Sequence, residues 1–163
     1  MWYKPIEEVW RMAPSSGRSR TKLDTRDYAL LAAFRFALRS FLHFSESAAK
    51  GSGLTAQHYQ AMLVVRGCPA ERRVTINDLA QQLLIRHNSA VGLVDRLEKQ
   101  GLIARESSPL DKRKVHLRLT AKGDRVLERL AGVHQEELTR IGPQLRQLVQ
   151  QITRATEEPS RSA

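Results

Sequence analysis

The chain has 163 residues, 41% of them apolar, and a formal charge of +10. That length supports one domain with a sizeable core, and that charge asks for a polyanionic partner. No run approaches the roughly 18 apolar residues of a membrane span, the N-terminus lacks a signal-peptide hydrophobic region, and a single cysteine excludes an intramolecular disulfide, so a soluble, cytoplasmic protein is expected.

Residues 1–23 read as a basic, flexible arm, because Pro14 to Arg20 is polar and cationic. From Asp24 to about Lys50 the spacing predicts a long helix, with Leu31, Phe34, Leu38, Phe41/Leu42 and Ser45 on one stripe and Tyr28 and Phe44 beside it. Gly51-Ser52-Gly53 stops it. Thr55 caps a second helix, stapled by Leu54 and Tyr59, that runs through Met62, Leu63 and Val64 to about Arg66 and ends at Gly67 and Pro69.

Thr75 followed by Asp78 is a capping-box spacing ahead of a short helix to about Leu83, which should bury Ile76, Leu79, Ala80 and Leu83. A further helix spans about Arg86 to Lys99, with Asn88 a good alternative N-cap. It carries Ala90, Val91, Val94 and Leu97 at helical spacing and ends at Gly101. Leu102 to Arg105 enters a strand, and Ser107 to Asp111 is turn chemistry. Val115, Leu117 and Leu119 alternate with Lys114, His116 and Arg118, the pattern of a strand with one buried and one mostly cationic face. Thr120 starts a helix to Ile141, Gly142-Pro143 breaks it, and a last helix runs from Pro143 to about Ala155, ahead of a flexible tail at 158–163.

Two short helices, a turn and a basic-tipped hairpin make a helix-turn-helix with a wing, which presents one helix to a DNA major groove and a cationic loop to the flanking backbone. Charge is concentrated there: Arg72 to Arg118 holds ten Lys/Arg and five Asp/Glu, half of the chain's excess. The expected fold is mainly α with a small β-wing.

This segment resembles the winged helix-turn-helix of the MarR family of transcriptional regulators. The resemblance is carried by Leu93-Val94-Asp95-Arg96-Leu97-Glu98, by Gly101-Leu102-Ile103, by Asp111-Lys112-Arg113 and by Leu119-Thr120-Ala121-Lys122-Gly123. It implies a single domain over 24–157. The winged part would lie at about 55–119, and dimerisation helices at about 24–50 and 120–156. Apolar stripes on those helices fit burial against a second copy, the alternative being a monomer that packs them on its own core. The function implied is that of a homodimeric regulator of a pseudo-palindromic operator in double-stranded DNA, a repressor released by a small aromatic or phenolic effector.

The expected DNA contacts are Thr75, Arg86, His87, Asn88, Ser89, Gly92, Arg96, Lys99, Asp111, Lys112, Arg113 and Lys114. Arg86 to Ser89 would face base edges or adjacent phosphates, since Asn pairs with adenine and Arg prefers guanine. Gly92 lets the helix approach closely, and Arg96 and Lys99 fall nearer phosphates. The resemblance places Arg113 in a minor groove, oriented by Asp111, with Lys112 and Lys114 on phosphates. This chain departs from the usual family pattern at Arg86 and His87, where a small capping residue and a proline are common, and at Gly92, where a polar or basic side chain is. An effector pocket would draw on Phe34, Leu38, His43, Phe44, His58, Tyr59 and Met62.

Other chemistry is sparse. The five histidines make no metal-ligand spacing, and no phosphate-loop, dinucleotide or nucleophile-elbow motif occurs, so no enzyme and no metal site are expected. Cys68 sits between helices and reads as a packing thiol. Two further readings are a winged-helix module that binds protein, and a metal- or redox-dependent sensor.

Overall fold

A computed structural model describes residues 23–69, 72–107 and 115–157, the last three without side-chain detail. The elements are α1 (Thr25–Gly51), α2 (Ala56–Gly67), β1 (Val74–Thr75), α3 (Ile76–Leu83), α4 (His87–Lys99), β2 (Ile103–Ser107), β3 (Val115–Leu119) and α5 (Ala121–Glu157). They fall into two compact units, one spanning 48–131 and one formed by 23–47 with 132–157.

The winged unit is built by local caps. Thr55 and His58 exchange the two bonds of a capping box at α2, and Thr75 and Asp78 do so at α3. Gly53 and Gly101 take left-handed φ values of +71° and +68°, letting Leu54 and Leu102 turn back onto the carbonyls of Ala49 and Leu97. The turn from α3 to α4 uses Leu84 at φ +55° instead, with its side chain exposed. Ile85 then donates to the Ala80 carbonyl at 3.0 Å, so the same terminal geometry is reached without glycine.

The sheet is antiparallel in the order β1-β3-β2. Ile103 pairs with Leu119 and Ser107 with Val115, while Val74 pairs with Leu117. Ser107 therefore belongs to the strand and not to the turn, and β1 is a third strand the alternation did not reveal, being two residues long. The core joins Met62, Val74, Leu79, Leu93, Val94, Leu97, Ile103 and Leu117, all nearly or fully buried. Leu63 faces out; only Met62 of the run 62–64 is buried.

In the helical unit α5 corrects the expected break. The helix runs on through Gly142 and Pro143 to Glu157. Proline removes one amide donor, but its fixed φ is helical, and turns on both sides propagate cooperatively through the lost bond. Leu148 is buried, whereas Tyr28, Leu31, Phe36, Leu38, Leu42, Val133, Leu138 and Val149 are exposed apolar side chains of this unit.

Candidate nucleic-acid interface

Helix α4 separates two kinds of residue. Ala90, Leu93, Val94 and Leu97 are buried and anchor it, while Arg86, His87, Asn88, Ser89, Arg96 and Lys99 are exposed and Gly92 and Asp95 are half-buried. The N-cap is Arg86 and not Asn88; Asn88 lies inside the first turn, and no side chain caps the helix. Its first amides thus lack a side-chain cap, and an uncapped helix N-terminus suits an anion. His87 Nδ1 lies 2.7 Å from Asn77 Oδ1, tying the start of α4 to α3. A β-carbon at Gly92 would meet only the Arg96 guanidinium, at 3.6 Å, so glycine here keeps the outer surface low without being demanded by packing.

Thr75 has a different immediate role. Its hydroxyl accepts from the Asp78 amide at 3.2 Å and donates to Asp78 Oδ2 at 2.7 Å. Burial presses the Asp78 carboxyl upward, but the Thr75 hydrogen bonds and the Arg72 guanidinium outweigh it, and the group ends below its ordinary value. The wing tip, with Asp111, Lys112, Arg113 and Lys114, lies outside the described residues.

Charged residues on β2 were not anticipated. Arg105 Nη2 lies 2.6 Å from Asp95 Oδ1 and its Nη1 bonds Glu98, both carboxylates being on α4. Burial lowers the guanidinium pKa, but the bonds and charges of Asp95 and Glu98 more than compensate and raise it. Its neighbour Glu106 binds Arg118 of β3 and, at 3.1 Å, Arg73 ahead of β1. The available signal was the i, i+3 pair of carboxylates on one predicted helix beside an arginine on the predicted strand.

The seven effector-pocket residues divide between the units. Phe34, Leu38, His43 and Phe44 belong to the helical one, with Leu38 and His43 exposed. His58, Tyr59 and Met62 are buried in the winged one. His58 Nδ1 accepts from the Thr55 amide at 3.2 Å, while its Nε2 is buried without a partner. Burial first, then the Arg96 charge, lower its pKa. A cleft of about 460 Å³ in the winged unit is lined by other residues, among them Arg66, Arg73, His116 and Arg118. Cys68, also on its wall, donates from Sγ to the Arg72 carbonyl at 2.8 Å, and burial raises its pKa against the opposing Arg72 charge. Among the described residues no cluster of His, Cys, Asp or Glu is placed to hold a metal, and no helix is long and apolar enough to cross a membrane.

Residues 52–114 match the model of the MarR family. The transcriptional regulator FarR of Neisseria gonorrhoeae is 34% identical over 71 residues, covering 44% of this chain, and the chain spans about half (49%) of that protein's length. The homoprotocatechuate degradative operon repressor of Escherichia coli is 28% identical over 136 residues, 83% of this chain and 87% of the repressor. Among solved structures, the transcriptional repressor CouR bound to a 23-mer DNA duplex superposes with a TM-score of 0.62 at 23% identity, covering 85% of this chain and 100% of that one. Residues 52–114, with capped helices leading into a three-stranded wing, thus match the MarR family of transcriptional regulators, and the described residues share the winged helix-turn-helix fold of its solved structures.

Proposed function

We propose that this chain is a homodimeric, sequence-specific DNA-binding regulator, acting in the cytoplasm as a repressor that a small aromatic or phenolic effector releases. The observation that carries the reading is the division of α4. Its apolar face is locked in the core, and its other face presents Arg86, His87, Asn88 and Ser89 around an uncapped N-terminus. Polar side chains at the start of a helix are what base edges and phosphates require. Arg113 is the wing residue proposed to enter a minor groove, with Lys112 and Lys114 on phosphates.

The homodimer is supported by the helical unit, which leaves Tyr28, Phe36, Leu42 and Leu138 exposed, apolar side chains that a second copy would cover. An aromatic effector is supported by the name of the homoprotocatechuate repressor, which aligns with most of this chain. An effector acts only if it prefers a conformation whose two recognition helices are wrongly spaced for the operator.

The test is fluorescence anisotropy on the duplex upstream of the protein's own coding region against a scrambled duplex, at near-physiological salt. Tight binding to the first alone supports the reading, and Arg113→Ala should then weaken it sharply. Equal, weak and steeply salt-dependent binding to this and to other promoter duplexes would leave only a generic basic surface and favour a protein-binding winged helix. Release by phenolic acids in the same assay tests the effector.

A further inference from the structure

We infer that Arg105 is a positioning residue for DNA recognition: it fixes α4 against the wing, so that the base-facing helix and the hairpin meet the duplex as one rigid body. The inference rests on the DNA-binding reading above. Ten cations between Arg72 and Arg118 invite the assumption that each answers a phosphate. Arg105 does not fit it. Its side chain is 26% exposed, against 54% for Arg118 and 55% for Arg73, and its two terminal nitrogens are both engaged by carboxylates of α4.

The spacing explains what the engagement does. Asn88, Gly92, Asp95 and Lys99 follow one another at helical intervals, so Asp95 sits on the stripe that would face the groove. An unpaired carboxylate there would repel phosphate. Arg105 neutralises it from the side and, through Glu98 one turn on, holds the same helix at a second point. A guanidinium can span both carboxylates with a planar fork; an ammonium group cannot. The strand that carries Arg105 is itself held, because the next side chain, Glu106, points to the opposite face of β2 and binds Arg118 and Arg73. The orientation of α4 is thereby referred to the sheet and, through β2 and β3, to the hairpin.

The test compares wild type with Arg105→Lys, which retains the charge and loses the fork, on specific and scrambled duplexes across a salt series. The expected result is about a tenfold loss of specific affinity, equivalent to weakening one base contact, with scrambled binding and its salt slope unchanged. In Arg105→Gln, which removes the charge, a slope reduced by about one on both duplexes would make Arg105 a direct phosphate contact and overturn the inference. Wild-type behaviour of the lysine variant on the specific duplex would overturn it as well. If the wild type itself discriminates no duplex, the DNA-binding reading fails, and amide exchange in the free protein decides the clamp separately. Faster exchange along α4 but not α2 in Arg105→Lys supports the clamp, and identical exchange removes it.

Discussion

His134 Nε2 and Ser45 Oγ lie 2.8 Å apart in a buried hydrogen bond that joins α5 to α1 within the helical unit. The rings of Phe41 and Phe44 meet the imidazole edge-on, with centroids 6.2 and 5.8 Å away. This pair accounts for a serine on an otherwise apolar stripe of α1 and a histidine on that of α5. Ser45→Ala takes a hydrogen-bonding partner from a buried ring nitrogen and should cost about 1–3 kcal/mol. Urea unfolding at one fixed protein concentration measures it. An unchanged midpoint would mean that the bond contributes nothing net.

Gly123 is constrained by backbone. A β-carbon there would lie 2.1 Å from the Leu102 carbonyl oxygen, which itself accepts from the Thr120 amide at 3.0 Å. Alanine normally favours a helix by about 1 kcal/mol over glycine. Here the sign should reverse, with Gly123→Ala destabilising by about 2 kcal/mol or more as the start of α5 is pushed from the sheet. Thermal unfolding of the variant checks the sign directly.

Thr75 supports α3 before it supports anything else. Thr75→Ala should cost about 1 kcal/mol through the lost cap. It should also flatten part of the acid limb of the stability profile. Asp78 is held below its ordinary value, so its contribution is complete above about pH 4 and is lost as pH falls through the folded value. Chemical unfolding of wild type and variant at acid and neutral pH should show the larger difference at neutral pH. An equal difference at both would place the cap outside this titration.

His58 should make folding sensitive to mild acid. Its pKa is lowered by burial and by the Arg96 charge. Below about pH 6.5 the unfolded chain takes up a proton that folded His58 refuses, so stability falls with pH from that point down to the folded value. Protonation would also remove the Nδ1 acceptor that the Thr55 amide uses. His58→Gln should be less stable at neutral pH and lose less on acidification. A wild-type slope retained by the variant would assign the effect to another group.

What could be read from the residues was mostly what neighbours in sequence decide. Thr75 with Asp78, and Gly101 after Lys99, act over three or four residues, and each has the predicted role. The alternation of β3 likewise gives its inward residues, Leu117 and Leu119. Pro143 does not end α5, because the local penalty of about 3 kcal/mol is absorbed by the helix on either side. Leu84 in a left-handed conformation could not be read, since its side chain argues against that geometry and the two flanking helices impose it.

By itself, then, the sequence determined the helical caps, the apolar faces and the polar start of α4, because hydrogen bonds and periodicity act between residues close along the chain. Tertiary structure alone decided that β1 joins the sheet, that Ser45 meets His134 across 89 residues, and that Arg105 meets two carboxylates on α4. Those pairings depend on which elements packing brings within about 3 Å, and charge or polarity in one dimension does not say where its partner will be.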